Sequence, residues 1–296
     1  MAASLARFSV GANIEGLQCA ERHIPSRHNG PDIRLRIFSP VNHGGALPAL
    51  LYLHGGGYAM GCPEWDLPMI ERFIQERPCV VVAPAYRLSF AAPYPAACDD
   101  AYDSLLWLRD HAETLGALSE KFIVAGQSAG GGLAAAVTLR ARDTGDANVA
   151  LQIPIYPMID DLQSTKGMQN NNAPGWTAKA TSIAWKLYLH DLGARRTHVP
   201  PYAAPARNVD FAGLPPTISF VGDLDPLAEE TIDYMRSLSD AGTQVAFTVF
   251  AGGFHSFENL CPKAEISQQA NRFLLGRFAE FVDEIFGASK SGPGKR

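Results

Sequence analysis

The stretch Phe122-Ile123-Val124-Ala125-Gly126-Gln127-Ser128-Ala129-Gly130-Gly131-Gly132 decides how the rest of the chain is read. Its four leading apolar residues are too few for a helix and suit a strand buried on both faces. The Ala-rich sequence from Ala129 onward suits a helix. Between them, Gly126 to Gly130 fits G-x-S-x-G, a turn so tight that the residues two before and two after the serine meet and any Cβ there would clash. Such a turn lifts Ser128 to the top of a sheet. It also sets the serine at a helix N-terminus, whose dipole favours developing negative charge. Gly131 and Gly132 let the helix pack close to the strand.

Working outward, the same kind of short apolar run recurs at Ala49–Leu53, Val80–Ala83, Ala150–Ile155, Thr217–Val221 and Val245–Phe250, each read as a strand buried on both faces. Helix-like stretches lie near 65–77, 96–112, 129–142, 227–241 and 264–286. Repeated βα units predict an α/β fold with a mostly parallel central sheet flanked by helices. Ile33, Leu35 and Ile37 alternate with charged residues, as in a half-exposed antiparallel edge strand. Residues 1–30 and 162–200 have helical patches, including Ile183, Leu187 and Tyr188, but no recognisable strand. They are read as a small helical lid over the carboxyl ends of the strands, where open α/β sheets bind ligands. The catalytic domain is then 31–161 with 201–286, and the small, polar, basic residues 287–296 form a flexible tail.

Length and composition narrow the class. The 296 residues are 47% apolar and 19% charged, which is ordinary globular composition and excludes a disordered chain. The net charge of −5 disfavours a nucleic-acid partner. No apolar run approaches the roughly 20 residues of a membrane span. Residues 1–20 hold Arg7, Asn13 and Glu15 and lack the apolar segment of a signal peptide. Cys19, Cys62, Cys79, Cys98 and Cys261 are odd in number and scattered, which suits reduced thiols and argues against a disulfide framework or a metal site. The expected compartment is cytoplasmic, and the oligomeric state, a homo-oligomer included, stays open.

A serine nucleophile needs donors for an oxyanion, and His54-Gly55-Gly56-Gly57 after the run Ala49–Leu53 offers unobstructed backbone N–H groups. Gly55, Gly56 and Ala129, the residue after the serine, are the expected donors. A dinucleotide fingerprint fails on spacing, because its third glycine would fall on Met60, and Val80–Ala83 runs into Pro84 instead of an acidic residue.

Taken in order, His54–Gly57, Tyr86-Arg87-Leu88, Pro93–Ala97, Gly126–Gly130, Asp225-Pro226-Leu227 and His255-Ser256-Phe257 resemble the hormone-sensitive-lipase-like esterases of the α/β-hydrolase superfamily over residues 30–285. The resemblance implies an α/β-hydrolase fold and a serine carboxylesterase that acts on small acyl esters without cofactor, under a helical lid. A hydrolase of this fold runs Ser, then Asp or Glu, then His. After Ser128 both Asp223 and Asp225 follow a strand, and the Asp-Pro-Leu match selects Asp225. His255 is the only histidine beyond them, so the expected triad is Ser128, Asp225 and His255. His54 precedes the nucleophile and is assigned to holding the glycine loop; Tyr86-Arg87 and Asp99-Asp100 are assigned to bracing. The remaining histidines are expected at the surface.

Three departures stand out, the first being an N-terminal lid segment that is short for the family, at about 30 residues. Gln127 occupies the position where the family usually has Asp or Thr. Ser89-Phe90-Ala91-Ala92 replaces an Ala-Pro-Glu-like segment and removes an expected bracing contact. Tyr58, Trp65, Tyr156, Trp176 and Phe254 are candidates for lining a substrate pocket. The runner-up reading keeps the triad but changes the bond, to an arylformamide, a lactone or a carbamate. A non-catalytic ligand receptor is disfavoured by the presence of His255.

Overall fold

The computed structural model describes residues 9–28, 30–169, 171–192 and 198–287. Its strands are β1 (Leu17–Ile24), β2 (Ile33–Pro40), β3 (Leu47–Leu53), β4 (Val80–Ala85), β5 (Ala117–Gln127), β6 (Val149–Ile155), β7 (Thr217–Gly222) and β8 (Val245–Phe250). They form one eight-stranded sheet in the order β1-β2-β4-β3-β5-β6-β7-β8. Only β2 runs against its neighbours, pairing antiparallel with β1 and β4, and every other pairing is parallel.

The helices are α1 (Leu67–Glu76), α2 (Ala96–His111), α3 (Ala129–Thr144), α4 (Ala178–Tyr188), α5 (Ala228–Asp240), α6 (Phe257–Leu260) and α7 (Glu265–Gly287). Side-chain alternation splits the sheet into two packed layers. Leu35, Leu51, Val82 and Val124 face α2 and α3, whereas Leu50, Val81, Ile123 and Phe220 face α1 and α7. Phe73 of α1 meets Phe278 of α7 edge-on at 4.8 Å and ties the second layer together. The parallel core is thus covered on both faces, as unbroken apolar runs require.

Three expectations change. Residues 33–37 are antiparallel but not at the edge, because β1 pairs along their whole length, Leu17 with Pro40 through Ile24 with Ile33. Residues 17–24, read as part of a lid, therefore belong to the sheet. Glu21, Arg22 and His23 of β1 are exposed, so the strand buries too little to leave an apolar run in the sequence. The run Val245–Phe250 forms the opposite edge and is half-buried, not enclosed on both faces. Residues 1–8 and the tail 288–296 lie outside the described residues. All five cysteines are free thiols, and no described helix is long and apolar enough to cross a membrane.

Candidate active site

Strand β5 ends at Gln127 and α3 begins at Ala129, leaving Ser128 as the single joint between them. Its φ of 57° and ψ of −121° lie in a region side chains avoid, a strain of about 1–3 kcal/mol. The surroundings hold it there. Ser128 N–H donates to Ile155 O at 3.0 Å, and Ser128 O accepts from Gly132 and Met158 N–H at 3.0 Å each. A Cβ at Gly130 would stand 2.0 Å from Leu53 O and 2.4 Å from His54 O, and one at Gly126 would stand 2.3 Å from Gly130 O. The glycines are thus the condition for the turn to rest on the end of β3.

The structure brings the three expected side chains together. His255 Nε2 lies 2.9 Å from Ser128 Oγ, and His255 Nδ1 lies 2.7 Å from Asp225 Oδ2. A carboxylate only accepts, so Nδ1 carries the ring proton and Nε2 faces the serine as an acceptor. Asp225 is fixed by the Leu227 N–H, which donates to its Oδ1 at 2.8 Å. All three residues are buried. The competing Asp223 is exposed and accepts from Gly252 N–H at 2.7 Å, which stitches the histidine loop from outside.

The free amides near Ser128 differ from the expected set at one position. Gly55 N–H is taken by Asp66 Oδ2 at 3.3 Å. Among the described residues, the N–H groups of Gly56, Gly57 and Ala129 carry no hydrogen bond. Of the three amides expected to be free, Gly55 is therefore engaged, and Gly57 N–H is free in addition to Gly56 and Ala129. The physical reason is a buried acid 11 residues on that captures the first glycine's amide, which no local pattern announces. Gly56, at φ 120°, could not carry a side chain: its Cβ would sit 2.1 Å from Met60 O. His54 holds this loop as assigned, with Nδ1 donating to Gly55 O at 2.8 Å and its ring stacked on Tyr86 at 4.0 Å. Burial pushes its pKa down to about 4, so it is neutral.

Ser, His and Asp in contact beside three free amides, at the carboxyl end of a parallel sheet, now stand beside a protein-family match described as the alpha/beta hydrolase fold over residues 50–259. The chain belongs to the α/β-hydrolase family. Esterase LipI of Mycobacterium tuberculosis is 30% identical over 289 residues, covering 91% of this chain and 89% of its own. Ethyl acetate hydrolase of Pseudomonas putida is 30% identical over 250 residues, covering 83% and 77%. Among solved structures, bacterial heroin esterase is similar with a TM-score of 0.88 at 34% identity, covering 92% of this chain and 87% of that one.

In this α/β hydrolase the bracing residues behave as assigned. Tyr86 OH donates to His54 O at 2.7 Å, Arg87 pairs with Asp100 at 2.7 Å, and Arg140 pairs with Asp99 at 2.8 Å. After Leu88 the loop is still tied by polar contacts, because Ser89 N–H and Oγ both donate to Tyr58 O at 2.8 and 2.9 Å.

The candidate pocket aromatics divide. Trp176 stands over the site, its ring 6.1 Å from that of His255 and close against Gly57. Tyr58 instead stacks on Tyr188 at 4.0 Å and donates to Met158 O at 2.6 Å, as a buried core residue. Phe254 packs against the core layer that contains α1 and α7. Tyr156 touches His255 edge-on at 4.9 Å from beneath, but its hydroxyl points away from substrate space into a buried polar network.

That network was not foreseen. Gln127 Nε2 donates to Asp66 Oδ1, while Gln127 Oε1 accepts from Tyr156 OH at 2.8 Å and Asn259 Nδ2 at 3.0 Å. Tyr156 OH also meets Glu258 Oε1, which accepts from Asn259 Nδ2 at 2.8 Å. Burial raises Asp66 to about 7, against the opposing hydrogen bonds from Gly55 and Gln127. Burial likewise raises Glu258 to about 6, against the hydrogen bond from Tyr156. The only signal in the sequence was Gln127 itself, as a departure from its family.

Proposed function

We propose that the chain is a serine carboxylesterase in which Ser128, His255 and Asp225 carry acyl transfer to water. The observation that carries this reading is the continuous contact from Asp225 through His255 to Ser128 Oγ, beside the free N–H groups of Gly56, Gly57 and Ala129. Esterase names among relatives at about 30% identity over most of the chain support the ester as the bond attacked.

Ser128 Oγ attacks the ester carbonyl as its proton passes to His255 Nε2, and Asp225 steadies the imidazolium. The carbonyl electrons move onto oxygen, where three amides and the N-terminus of α3 meet the charge. One such donor is worth ~10²–10³ in rate. The proton on Nε2 then goes to the leaving alcohol and breaks the C–O bond. A water repeats the sequence on the acyl-enzyme, giving the acid and restoring Ser128. These steps use the chain's own groups.

The substrate class we propose is a small, neutral ester with a short to medium acyl chain. Trp176, in the segment 162–200, approaches both His255 and Gly57 and narrows the space above the serine, in support of a lid role for that segment. A relative named for ethyl acetate supports a small substrate. The free thiols, two of them buried, support a reducing, cytoplasmic setting.

The test is hydrolysis of p-nitrophenyl esters from acetate to decanoate, with one anilide included. Turnover peaks at short to medium chains. Ser128→Ala lowers it by a factor of about 10⁴ or more while the circular dichroism spectrum is unchanged. Undiminished hydrolysis by that variant overturns the assignment.

A further inference from the structure

Gln127 precedes the nucleophile yet turns its side chain away from the substrate side, into the buried network. The two ends of its amide serve different partners, and the donor-only Asn259 Nδ2 fixes which end is which. The Nε2 end donates to Asp66, and the Oε1 end accepts from Tyr156 OH at 2.8 Å and from the donor-only Asn259 Nδ2 at 3.0 Å. Asp66 holds the Gly55 N–H with its other oxygen at 3.3 Å, directly before the two free donors Gly56 and Gly57. At the far end, Asn259 and Glu258 sit on α6, and Asn259 Nδ2 donates to Ser256 Oγ at 3.2 Å, next to His255. One amide therefore lies between the loop that presents the oxyanion donors and the loop that presents the base.

We propose that Gln127 is a positioning residue, which fixes the oxyanion loop through Asp66 and ties it to the histidine loop through Tyr156 and Asn259. The inference rests on the serine-hydrolase reading of the site. An aspartate at 127 would turn an acceptor toward the Asp66 carboxyl, and a threonine would be too short to reach both sides. Oxyanion donors act on charge that exists only in the transition state, so displacing them lowers kcat and leaves KM nearly unchanged. A residue that merely filled space would lower thermal stability without this split.

The experiment exploits the polarity of the contact. Gln127→Glu sets two carboxyl groups face to face, and Asp66→Asn sets two amides face to face. The double variant Asp66→Asn/Gln127→Glu restores one donor and one acceptor, keeps the original charge, and leaves acceptors for Gly55, Tyr156 and Asn259. With p-nitrophenyl butyrate, each single variant loses about 10²-fold in kcat with KM within a few-fold, and the double variant recovers most of that loss. Gln127→Met, which removes the amide without adding charge, shows the same split if either single variant fails to fold. It also binds a trifluoromethyl ketone more weakly in proportion to its loss of kcat. Wild-type kcat in Gln127→Met, a double variant no better than the worse single one, or a loss confined to KM overturns the proposal. Ser128→Ala run in parallel separates the two failures: if it retains turnover, the reading of the whole site falls and not the role of Gln127 alone.

Discussion

Ser128 keeps its strained backbone because its own N–H and C=O are both engaged, and the residue most exposed to that constraint is Gly130. A methyl group there would meet two backbone oxygens of a central strand and its loop, 2.0 and 2.4 Å away, which cannot move aside as a flexible side chain would. Gly130→Ala is expected to destabilise by about 1–3 kcal/mol or more. It should also reduce turnover by about 10²-fold, since small displacements of the nucleophile are costly. Thermal denaturation and kcat on p-nitrophenyl butyrate measure the two effects. At this scale the sequence was informative about the three side chains in contact: glycines mark Ser128, chain order marks His255, and the Asp-Pro-Leu match chose Asp225 over Asp223. It was uninformative about Gly55 against Gly57, because the choice depends on which amide Asp66 reaches from 11 residues away. The burial of Tyr58 and Tyr156 was illegible for a similar reason, since an aromatic beside a motif looks the same whether it faces substrate or core.

Among the elements, the short turn Pro63–Asp66 links the N-terminal segment to the site. Its Asp66 holds Gly55, and its Glu64, fully buried, accepts from Gly11 N–H at 2.9 Å and Arg36 Nη1 at 3.0 Å and also pairs with Arg34. Arg36 in turn donates to Ala12 O and Asn13 Oδ1, at 3.0 and 2.7 Å. Burial alone would raise Glu64, but the hydrogen bonds from Arg34 and Gly11 outweigh it and hold the carboxyl at about 2. Glu64→Gln leaves Arg36 charged, enclosed and without its counter-ion, at a cost of about 3–5 kcal/mol in urea unfolding at pH 7. The folded pKa lies below the ordinary 4.5, so the stability from this pair is present above 4.5 and is lost as pH falls toward 2. Strand β1, which follows the same segment, was the element the sequence concealed: an edge strand needs only a few apolar residues, and Glu21 to His23 face water.

For the molecule as a whole, the buried carboxyls set an opposing trend. Glu258 is raised to about 6 and Asp66 to about 7, so the folded state retains protons that the unfolded chain has already released. Stability from this source therefore declines as pH rises from the ordinary carboxyl range through the folded pKa values, and is level above them. Glu258→Gln keeps the acceptor for Tyr156 and Asn259 but cannot ionise. Relative to the unmodified chain it gains about 2 kcal/mol between pH 4.5 and 6 and no more above, read as the difference in urea unfolding free energy across that range. A constant difference across the range would show that Glu258 does not titrate within the network.

The alternation of strands and helices after β1, the two-sided core of the central strands and the tight turn at Ser128 were determined by the sequence alone. Each depends on the spacing of apolar residues and glycines within a few positions of one another, and local sterics and burial act over that range. Tertiary structure alone decided which strand closes each edge, which amides stay free for an oxyanion, and what Gln127 does. Those outcomes turn on buried polar groups from Asp66 to Asn259, whose partners are chosen by proximity in space, where an unpaired donor or acceptor is costly, and not by distance along the chain.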